Sequence, residues 1–388
     1  MRKIKKVLFV LSIYKPNMGG VETSVESYCR EYNGRGIETV VLTKKFPENL
    51  PEYDVYDNTK VFRISKPDTD DEYRNFLTQI LKNEELQADI VHVVGVRRPL
   101  PLFALLLARK FRVPCLMTFV GGDVAEGPIW EEHKNDSINS IAQADGYSAY
   151  SESIVDDARR VANVSDAIPV IKTGLDLNKI QNIAPYNSNT PYIISARRLV
   201  YDKGLDILIN AFSGVSKQFP DLKLLIAGEG EEEEKLKKLT FKLGLQNKID
   251  FIGTIPLEKL YAYMKGAIAH ICPSRSEGGG NVNIEASACG CIPIGANIGG
   301  ISEYIKDNET GLLFESENSS DLAQKIIKTL HNDVANDKLI KNGLMFAQDF
   351  SIESQADKYI KIYRNMVTKD TFLPWSELTK EFKNVIES

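Results

Sequence analysis

Residues that build metal sites and disulfide frameworks are scarce in this chain of 388 residues. It contains five cysteines and four histidines, and no two histidines have H-x3-H spacing. The cysteines are odd in number and stand in apolar surroundings, and Cys289 and Cys291 are too close together for a C-x-x-C pair. We therefore expect no bound metal and no disulfides, as in a protein of the reducing cytoplasm.

Long apolar runs and an excess of positive charge are also missing. No stretch of 18 apolar residues occurs, so a membrane-spanning helix is not expected. The first 13 residues resemble the front half of a signal peptide, but no cleavage site follows, and a buried first strand is the better interpretation. The formal net charge is −5, which gives no overall basic field for binding nucleic acid.

Short apolar segments alternate with segments of helical periodicity along most of the chain. The apolar segments predict buried strands at 7–11, 39–43, 90–94, 115–119, 146–150, 192–196, 223–227, 249–251, 268–272 and 292–295. This alternation predicts an α/β protein with parallel sheets covered by helices on both faces.

A polar stretch with two prolines at 184–191 predicts a linker between two halves of similar size. We predict Rossmann-like domains at 1–183 and 184–350, followed by helices in 351–388 that pack back on the first domain. Ligands of such sheets bind at the carboxyl ends of the strands, so two facing domains would form a cleft that holds the chemistry. Helices are also predicted at 302–306, 320–330, 352–366 and 372–386.

The strongest motif joins two glutamates across a glycine-rich loop, Glu277-Gly-Gly-Gly-Asn-Val-Asn-Ile-Glu285. The three glycines allow backbone to approach a ligand, and the helix predicted after them offers free N–H groups to an anion. Asn281 or Asn283 is expected to cap that helix, and Glu285 can accept hydrogen bonds from paired ribose hydroxyls. A capped glycine turn alone would explain the glycines and asparagines, but not the two glutamates.

A second motif follows the first strand of the second half, Arg197-Arg198-Leu-Val-Tyr-Asp-Lys203-Gly204. Arg198 and Lys203 stand five residues apart across a strand-to-helix loop, which suits a diphosphate. Taken alone, the motif fits an ordinary charged surface equally well.

A third motif, Gly19-Gly20-Val21-Glu22, follows the first strand and is weak alone because glycine is common there. The G-x-G-x-x-G fingerprint of dinucleotide-binding proteins is absent; Gly228-Glu229-Gly230 comes close, but its acidic surroundings favour a simple turn.

Taken together, these motifs resemble family 4 of the retaining glycosyltransferases, and the resemblance extends over nearly the whole chain. The family has the GT-B fold, two facing Rossmann-like domains with a cleft between them. The segments that carry the resemblance are Gly19-Gly20-Val21-Glu22, Thr118–Asp123, Thr173-Gly174-Leu175-Asp176, Arg198-Leu199-x3-Lys203-Gly204, Gly228-Glu229-Gly230, Glu277-x7-Glu285, Gly299–Glu303 and Gly311–Phe314.

The resemblance implies a role for each matching position. Arg198 and Lys203 would bind the donor diphosphate and stabilise its leaving charge, Glu277 would contact the transferred sugar, and Glu285 would hold the ribose. Asp123 would lie on the acceptor side, which makes Arg198, Lys203, Glu277 and Asp123 the predicted catalytic residues. The predicted donor-binding residues are Gly19, Gly20, Arg198, Lys203, Gly278, Gly279, Gly280, Asn281, Val282 and Glu285.

Two positions depart from the family pattern. Val120 stands where the family often has a histidine before the G-x-D segment, and Arg197 replaces a residue that is often glycine. These departures leave the identity of the sugar open, and the change at Val120 motivates a non-catalytic alternative.

The implied activity is metal-independent, retaining transfer of a sugar from a nucleoside-diphosphate sugar, with UDP-hexose or UDP-N-acetylhexosamine favoured. The acceptor would be a hydroxyl of a glycan, glycolipid or lipid-linked molecule in cell-surface polysaccharide biosynthesis, and no separate cofactor is expected. The alternative is a GT-B protein without catalysis that binds a sugar or a partner glycosyltransferase. A nicotinamide-dependent oxidoreductase is disfavoured by the missing fingerprint.

The apolar segment 100–111 has basic residues at both ends, Arg97 and Arg98 before it and Arg112 after it. We expect its apolar face to be core, while its basic ends leave open a peripheral contact with anionic lipid at the inner face of the cell membrane.

Overall fold

The computed structural model describes residues 3–17, 19–65, 77–96, 100–120, 124, 137–162, 164, 167–277, 280–331 and 333–368. The described residues fall into two compact units. The first unit comprises the residues up to Gly174 together with those from Ile352 onwards, and the second comprises Leu175–Ser351. The predicted domain boundaries at 183/184 and 350/351 stay a prediction, and the helix predicted at 372–386 lies outside the described residues.

The first unit is built on a seven-stranded sheet in the order β3-β4-β2-β1-β5-β6-β7. Its strands are β1 (Lys6–Leu11), β2 (Glu38–Lys44), β3 (Tyr53–Tyr56), β4 (Thr59–Ile64), β5 (Ile90–Val94), β6 (Cys115–Phe119) and β7 (Gly146–Ala149). All pairs are parallel except β3 with β4. The five strands predicted here are confirmed. The β3–β4 hairpin was not predicted, although Asp57 and Asn58 at its turn have the positive φ angles of a two-residue hairpin loop.

Helices of the first unit cover this sheet: α1 (Gly20–Gly34), α2 (Leu100–Phe111) and α3 (Glu152–Ala162). The apolar residues of α2 from Leu102 to Ala108 are buried in the core of the unit. Arg109 is also buried, and its guanidinium donates to Asp145 Oδ2 at 2.7 Å. The prediction that the apolar face of this helix is core is therefore confirmed, whereas Arg97 and Arg98 lie outside the described residues.

The second unit has a six-stranded parallel sheet in the order β10-β9-β8-β11-β12-β13. Its strands are β8 (Tyr192–Ala196), β9 (Lys223–Ala227), β10 (Ile249–Gly253), β11 (Ala269–Cys272), β12 (Ile292–Ala296) and β13 (Leu312–Phe314). Its helices are α4 (Leu177–Asn182), α5 (Leu205–Gln218), α6 (Glu233–Lys242), α7 (Leu257–Gly266), α8 (Asn281–Ala288), α9 (Gly299–Ser302), α10 (Ser319–His331) and α11 (Asp333–Gln348). The prediction of two Rossmann-like sheets is confirmed, and apart from the β3–β4 pair the described strand pairs are parallel.

One predicted helix is displaced in the second unit. The prediction placed it at 302–306, but α9 begins at Gly299 and ends at Ser302. A bridge between Asp307 and Gly311 closes a turn soon after it, so the chain leaves the helix earlier than the apolar pattern suggests.

The last described helix, α12 (Ile352–Val367), packs on the first unit. Tyr359 makes an edge-on contact with Tyr28 of α1, with 5.2 Å between ring centroids. The hydroxyl of Tyr363 lies 2.7 Å from Nδ1 of the buried His92 on β5. Burial lowers the pKa of His92 to about 3, so this imidazole is neutral and the bond is one between uncharged groups.

Both sheets reverse their strand order next to the first strand of the unit. In the first unit β1 lies between β2 and β5, and in the second unit β8 lies between β9 and β11. The loops that leave the carboxyl ends of the two central strands therefore diverge and open a crevice, which is where ligands of open α/β sheets bind.

Candidate functional site

The crevice of the second unit is bordered by two loops, which we call the switch loops. One comprises residues 197–204 after β8, and the other comprises the described residues 273–277 and 280 after β11. The strands that carry them are neighbours, because Ile194 pairs with His270. Both predicted cationic and acidic motifs therefore meet at one edge of this sheet.

Gly204 allows the two switch loops to touch. It has a φ of 62°, in the left-handed region, and a Cβ atom on it would lie 2.0 Å from the carbonyl oxygen of Pro273. Across the same contact, the backbone N–H of Arg275 donates to Asp202 O at 2.8 Å. Only glycine fits this position without moving one loop away from the other.

A third loop supports the first switch loop from β9. A Cβ atom on Gly228 would lie 1.9 Å from Arg197 O, and one on Gly230 would lie 2.3 Å from Leu199 O. The backbone N–H of Leu199 donates to Glu229 O at 2.9 Å. The glycines of this segment thus serve close backbone packing, in agreement with their interpretation as a turn.

Glu277 sits between two cations at the bottom of the crevice. Its Oε2 atom accepts hydrogen bonds from Arg197 Nη2 and from Lys203 Nζ, the latter at 2.9 Å. Burial alone would raise the pKa of Glu277, but Arg197, Lys203 and the backbone N–H of Gly280 hold it below its ordinary value. Glu277 is therefore a carboxylate with its charge compensated inside the protein.

Sequence reasoning did not foresee the position of Arg197. The side chain of Arg197 is only 6% exposed, and its guanidinium contacts both Glu277 and Cys272 Sγ. Alternation of side chains along a strand predicts that Arg197 and Arg198 point to opposite sides, but it does not say which of the two is buried.

Arg198 is the exposed cation of the pair. Its guanidinium forms no hydrogen bond or ion pair with any residue that the structure describes. A charge that is exposed next to a buried and compensated cluster is available to an anionic ligand.

Arg275 braces the second switch loop from the outside. It forms a two-pronged ion pair with Asp206 at 2.8 and 2.9 Å, and its guanidinium stacks on the Tyr201 ring 4.1 Å from the centroid. This arginine links the second switch loop to the start of α5. Like Arg197, it is already paired with a carboxylate.

Helix α8 begins directly after the glycine-rich loop. Its N-cap is Gly280, with a φ of 54° and no side-chain cap, so the expected capping by Asn281 or Asn283 is wrong. Asn281 is already the first helical residue, and the Asn283 amide instead donates to Gly280 O at 3.0 Å. The side chains of Asn281 and Val282 are half-buried. Gly278 and Gly279 lie outside the described residues.

The side chain of Glu285 on α8 is half-buried, and its carboxylate forms no hydrogen bond or ion pair with a described residue. Burial raises its pKa to about 7, with Arg197 opposing the shift. A buried carboxylate without a partner is costly, and two neighbouring hydroxyls could satisfy both of its oxygens.

The corresponding crevice of the first unit carries Gly19 and Gly20, both exposed at the start of α1. A Cβ atom on Gly20 would meet nothing within 4 Å. The carboxylate of Glu22 accepts from the backbone N–H of Gly19, and burial raises the pKa of Glu22. Val120 is half-buried after β6, and Asp123 lies outside the described residues.

Two further properties concern metals and membranes. Within the described ranges, no group of three histidine, cysteine or carboxylate side chains could hold a metal ion. None of the helices in the part of the chain that the structure describes is long and apolar enough to cross a membrane.

Two family models match this chain. Residues 18–179 match "Glycosyltransferase Family 4", and residues 177–345 match "Glycosyl transferases group 1". An uncharacterized glycosyltransferase of Methanocaldococcus jannaschii is 27% identical over 94% of this chain and 99% of its own length. The phosphatidyl-myo-inositol mannosyltransferase of Mycobacterium leprae is 25% identical over 90% of this chain and 94% of its own.

Among solved structures, Anabaena HepE in complex with UDP-glucose matches with a TM-score of 0.77. The match covers 93% of this chain and 99% of that one, at 17% sequence identity. The predicted GT-B fold class is confirmed.

Proposed function

This chain belongs to the group 1, family 4 glycosyltransferases, and on that premise we propose that it transfers a sugar from a nucleoside-diphosphate sugar with retention of anomeric configuration. The favoured donors are UDP-hexose and UDP-N-acetylhexosamine. The favoured acceptor is a hydroxyl of a glycan, glycolipid or lipid-linked molecule in cell-surface polysaccharide biosynthesis.

The observation that carries the proposal is the distribution of charge around the switch loops. Glu277 compensates part of the charge of Arg197 and Lys203, whereas Arg198 is exposed and unpaired among the described residues. One open arginine with a lysine beside it suits a diphosphate, because a guanidinium binds phosphate oxygens in a fixed fork and an ammonium acts as a point charge.

The other donor contacts follow from the same geometry. Glu285 would accept hydrogen bonds from the two ribose hydroxyls, and the backbone around Gly280, Asn281 and Val282 would border the nucleotide. Glu277 would use its remaining hydrogen-bonding capacity for hydroxyls of the transferred sugar. In the first unit, Gly19 and Gly20 are proposed to present backbone N–H groups to an anionic part of a substrate, which at Gly19 would replace the Glu22 carboxylate. Asp123 is proposed to lie on the acceptor side.

In the proposed reaction the bond between the anomeric carbon and the phosphate oxygen breaks. The acceptor oxygen forms its bond to the anomeric carbon on the same face, and its proton passes to the leaving phosphate oxygen. Arg198 and Lys203 stabilise the negative charge on the departing diphosphate, so the proposal includes neither a metal ion nor a dedicated base.

Two similar proteins support the finer parts of the proposal. HepE was solved with UDP-glucose, which favours a uridine donor, and the mannosyltransferase of Mycobacterium leprae is named for a phosphatidyl-inositol acceptor. A lipid-linked acceptor would bring the protein to the inner face of the membrane. Flotation with anionic liposomes tests this point; equal flotation of wild type and the Arg97→Glu/Arg98→Glu variant would contradict the predicted basic contact.

The donor site is tested by thermal unfolding with UDP, GDP, ADP, CMP and NAD. A nucleotide at ~100 times its Kd stabilises the protein by ~2.7 kcal/mol, which is readily measured. We expect one diphosphate to stabilise the wild type and Glu285→Ala to lose most of that effect. Incubation with sugars of that nucleotide then tests catalysis, and NMR of the product gives the anomeric configuration.

Each alternative predicts a different result. Stabilisation by a nucleotide sugar without any turnover would favour the non-catalytic sugar-binding protein. Stabilisation by NAD alone, or by none of the nucleotides, would contradict the proposed donor site.

A further inference from the structure

Arg197 has no assigned role in the transfer reaction, yet it is the most deeply buried charge of the cluster. We propose that Arg197 is a positioning residue that keeps the Glu277 carboxylate charged and fixed while Lys203 moves from it to the donor diphosphate. The inference rests on the proposed function and deepens it, because it explains how one lysine serves two anions.

Arg197 is the more buried of the two cations, and its backbone is fixed against β9 and the loop that follows it. Its N–H donates to Ala227 O at 2.9 Å, and its carbonyl is packed against Gly228, where no Cβ atom would fit. Its side chain is 6% exposed, against 15% for that of Lys203. Lys203 ends a one-turn 3-10 helix, and besides Glu277 its Nζ contacts only Ser276 O, at 3.4 Å, among the described residues. Its flexible side chain is the more exposed of the two, so it is the cation that can turn towards a ligand.

Two cations share one oxygen of Glu277, and the remaining neighbours are neutral. Besides Arg197 and Lys203, the carboxylate is approached by the Ser274 hydroxyl at 3.5 Å, the Cys272 thiol and the Gly280 N–H. Glu285 and His270 face Arg197. No other charged side chain among the described residues interacts with Glu277.

This arrangement determines what happens when a diphosphate arrives. If Lys203 turns to the ligand, Arg197 still compensates Glu277 and nothing buried is left unpaired. Without Arg197, Lys203 would be the only cation beside this buried carboxylate among the described residues. Diphosphate binding would then either strip that carboxylate of its counter-charge or require it to take up a proton.

The test is a double-mutant cycle with Arg197→Met and Glu277→Gln, measured by titration calorimetry with UDP. Arg275→Met is the matched control, since Arg275 is a paired arginine of the same site that does not touch Glu277. Arg197→Lys is the conservative variant. Titrations in buffers of different ionisation enthalpy give the number of protons taken up on binding.

We expect Arg197→Met to weaken UDP binding at least ~10-fold at pH 8, and binding near pH 6 to be accompanied by uptake of about one proton. In the Glu277→Gln protein, Arg197→Met should weaken UDP binding less than ~3-fold, because residue 277 then has no buried charge that needs compensation. Arg197→Lys should recover part of the affinity. The Arg275→Met control should show neither proton uptake nor rescue by Glu277→Gln.

Unfolding of the ligand-free variants separates this inference from the proposed function. Arg197→Met should lower Tm, and Glu277→Gln should restore most of the loss. If wild type binds no nucleotide, the proposed function fails. The recovery of Tm in the double variant then shows by itself whether Arg197 compensates the charge of Glu277. The inference would be overturned if Arg197→Met bound UDP with the affinity and the proton uptake of wild type. It would also be overturned if this change weakened UDP binding equally in the wild-type and Glu277→Gln proteins.

Discussion

Each of the two sheets reverses its strand order next to its first strand, but the side chains at this point differ between the units. In the first unit the crevice has exposed glycines, and the carboxylate of Glu22 already occupies the N–H of Gly19. In the second unit the crevice has Arg197 and Lys203 around Glu277, with exposed Arg198 beside them. The topology alone thus marks two possible sites, and charge indicates which of them suits a diphosphate.

Buried histidines illustrate the same difference between the units. His92 on β5 and His270 on β11 occupy corresponding strands, and burial lowers the pKa of each to about 3. Both ring nitrogens of His92 have hydrogen-bonding partners, in Tyr363 and Thr118. Nδ1 of His270 has none among the described residues, and Arg197 adds to the lowering of its pKa. The first unit uses its histidine to fix α12, whereas the second places an arginine next to a neutral ring.

The largest expected effect is a difference in stability between alanine variants of two glycines, one from the crevice of each unit. Gly204→Ala should destabilise the second unit by about 4 kcal/mol, because its Cβ atom would overlap Pro273 O in a left-handed backbone. Gly20→Ala should change stability by less than about 0.5 kcal/mol, since nothing lies within 4 Å of the added atom. Chemical unfolding of both variants measures this, and equal losses would contradict the account of the switch loops.

The next effect depends on pH. The pKa of Glu285 is about 7 in the folded state and 4.5 in the reference state, so the native protein binds this proton more tightly and loses stability as pH rises from 4.5 to 7. Glu285→Gln should therefore stabilise the second unit by about 3 kcal/mol at pH 8 and by almost nothing at pH 4.

Thermal unfolding of Glu285→Gln from pH 4 to pH 8 provides the measurement, with Glu22→Gln of the first unit as control. The pKa of Glu22 is also raised, so its variant should show a gain of the same sign. A Glu285→Gln variant whose Tm follows that of wild type at every pH would show that this carboxylate is not held without a partner.

Removing an exposed cation that has no partner among the described residues should weaken nucleotide binding, whereas removing a paired cation should not. Arg198→Ala should weaken binding of a nucleoside diphosphate ~30-fold, about 2 kcal/mol, and the loss should shrink at high salt. Lys15→Ala should leave binding unchanged, because Lys15 in the first unit is paired with Glu26 at 2.7 Å. Calorimetry at two salt concentrations tests this, and similar affinities of the two variants would oppose the assignment of Arg198.

The smallest expected effect lies in the first unit. Tyr363→Phe removes the hydroxyl bonded to His92 Nδ1 and leaves that buried nitrogen unpaired, which should cost about 1 kcal/mol. Donor binding should not change. A loss of nucleotide affinity in Tyr363→Phe would contradict the assignment of nucleotide binding to the second unit.

Much of the fold was predictable because several of its strands, such as β1, are short apolar runs. β1 and β8 were readable from composition alone, as buried parallel strands require. Helix α11 was not predicted, because Val334 and Met345 are 83% and 63% exposed and disturb its helical pattern.

The sequence motifs named Lys203 and Glu277, which the structure brings into contact, but their pairing could not be predicted. The motifs identified Lys203, Glu277 and Glu285, but no spacing rule says that Glu277 takes both Arg197 and Lys203 as partners. Nor does the sequence separate the buried Arg197 from the exposed Arg198, because that difference arises from how the backbone leaves β8. The raised pKa of Glu285 depends on how deeply the folded protein buries this carboxyl, which no local motif specifies.

Hydrogen–deuterium exchange with and without saturating UDP would locate the nucleotide site on the chain. We expect UDP to protect the backbone amides of 197–204 and of α8, the segments that border the crevice of the second unit. Unchanged exchange in these segments, or protection confined to the loop that follows β1 in the first unit, would contradict this expectation.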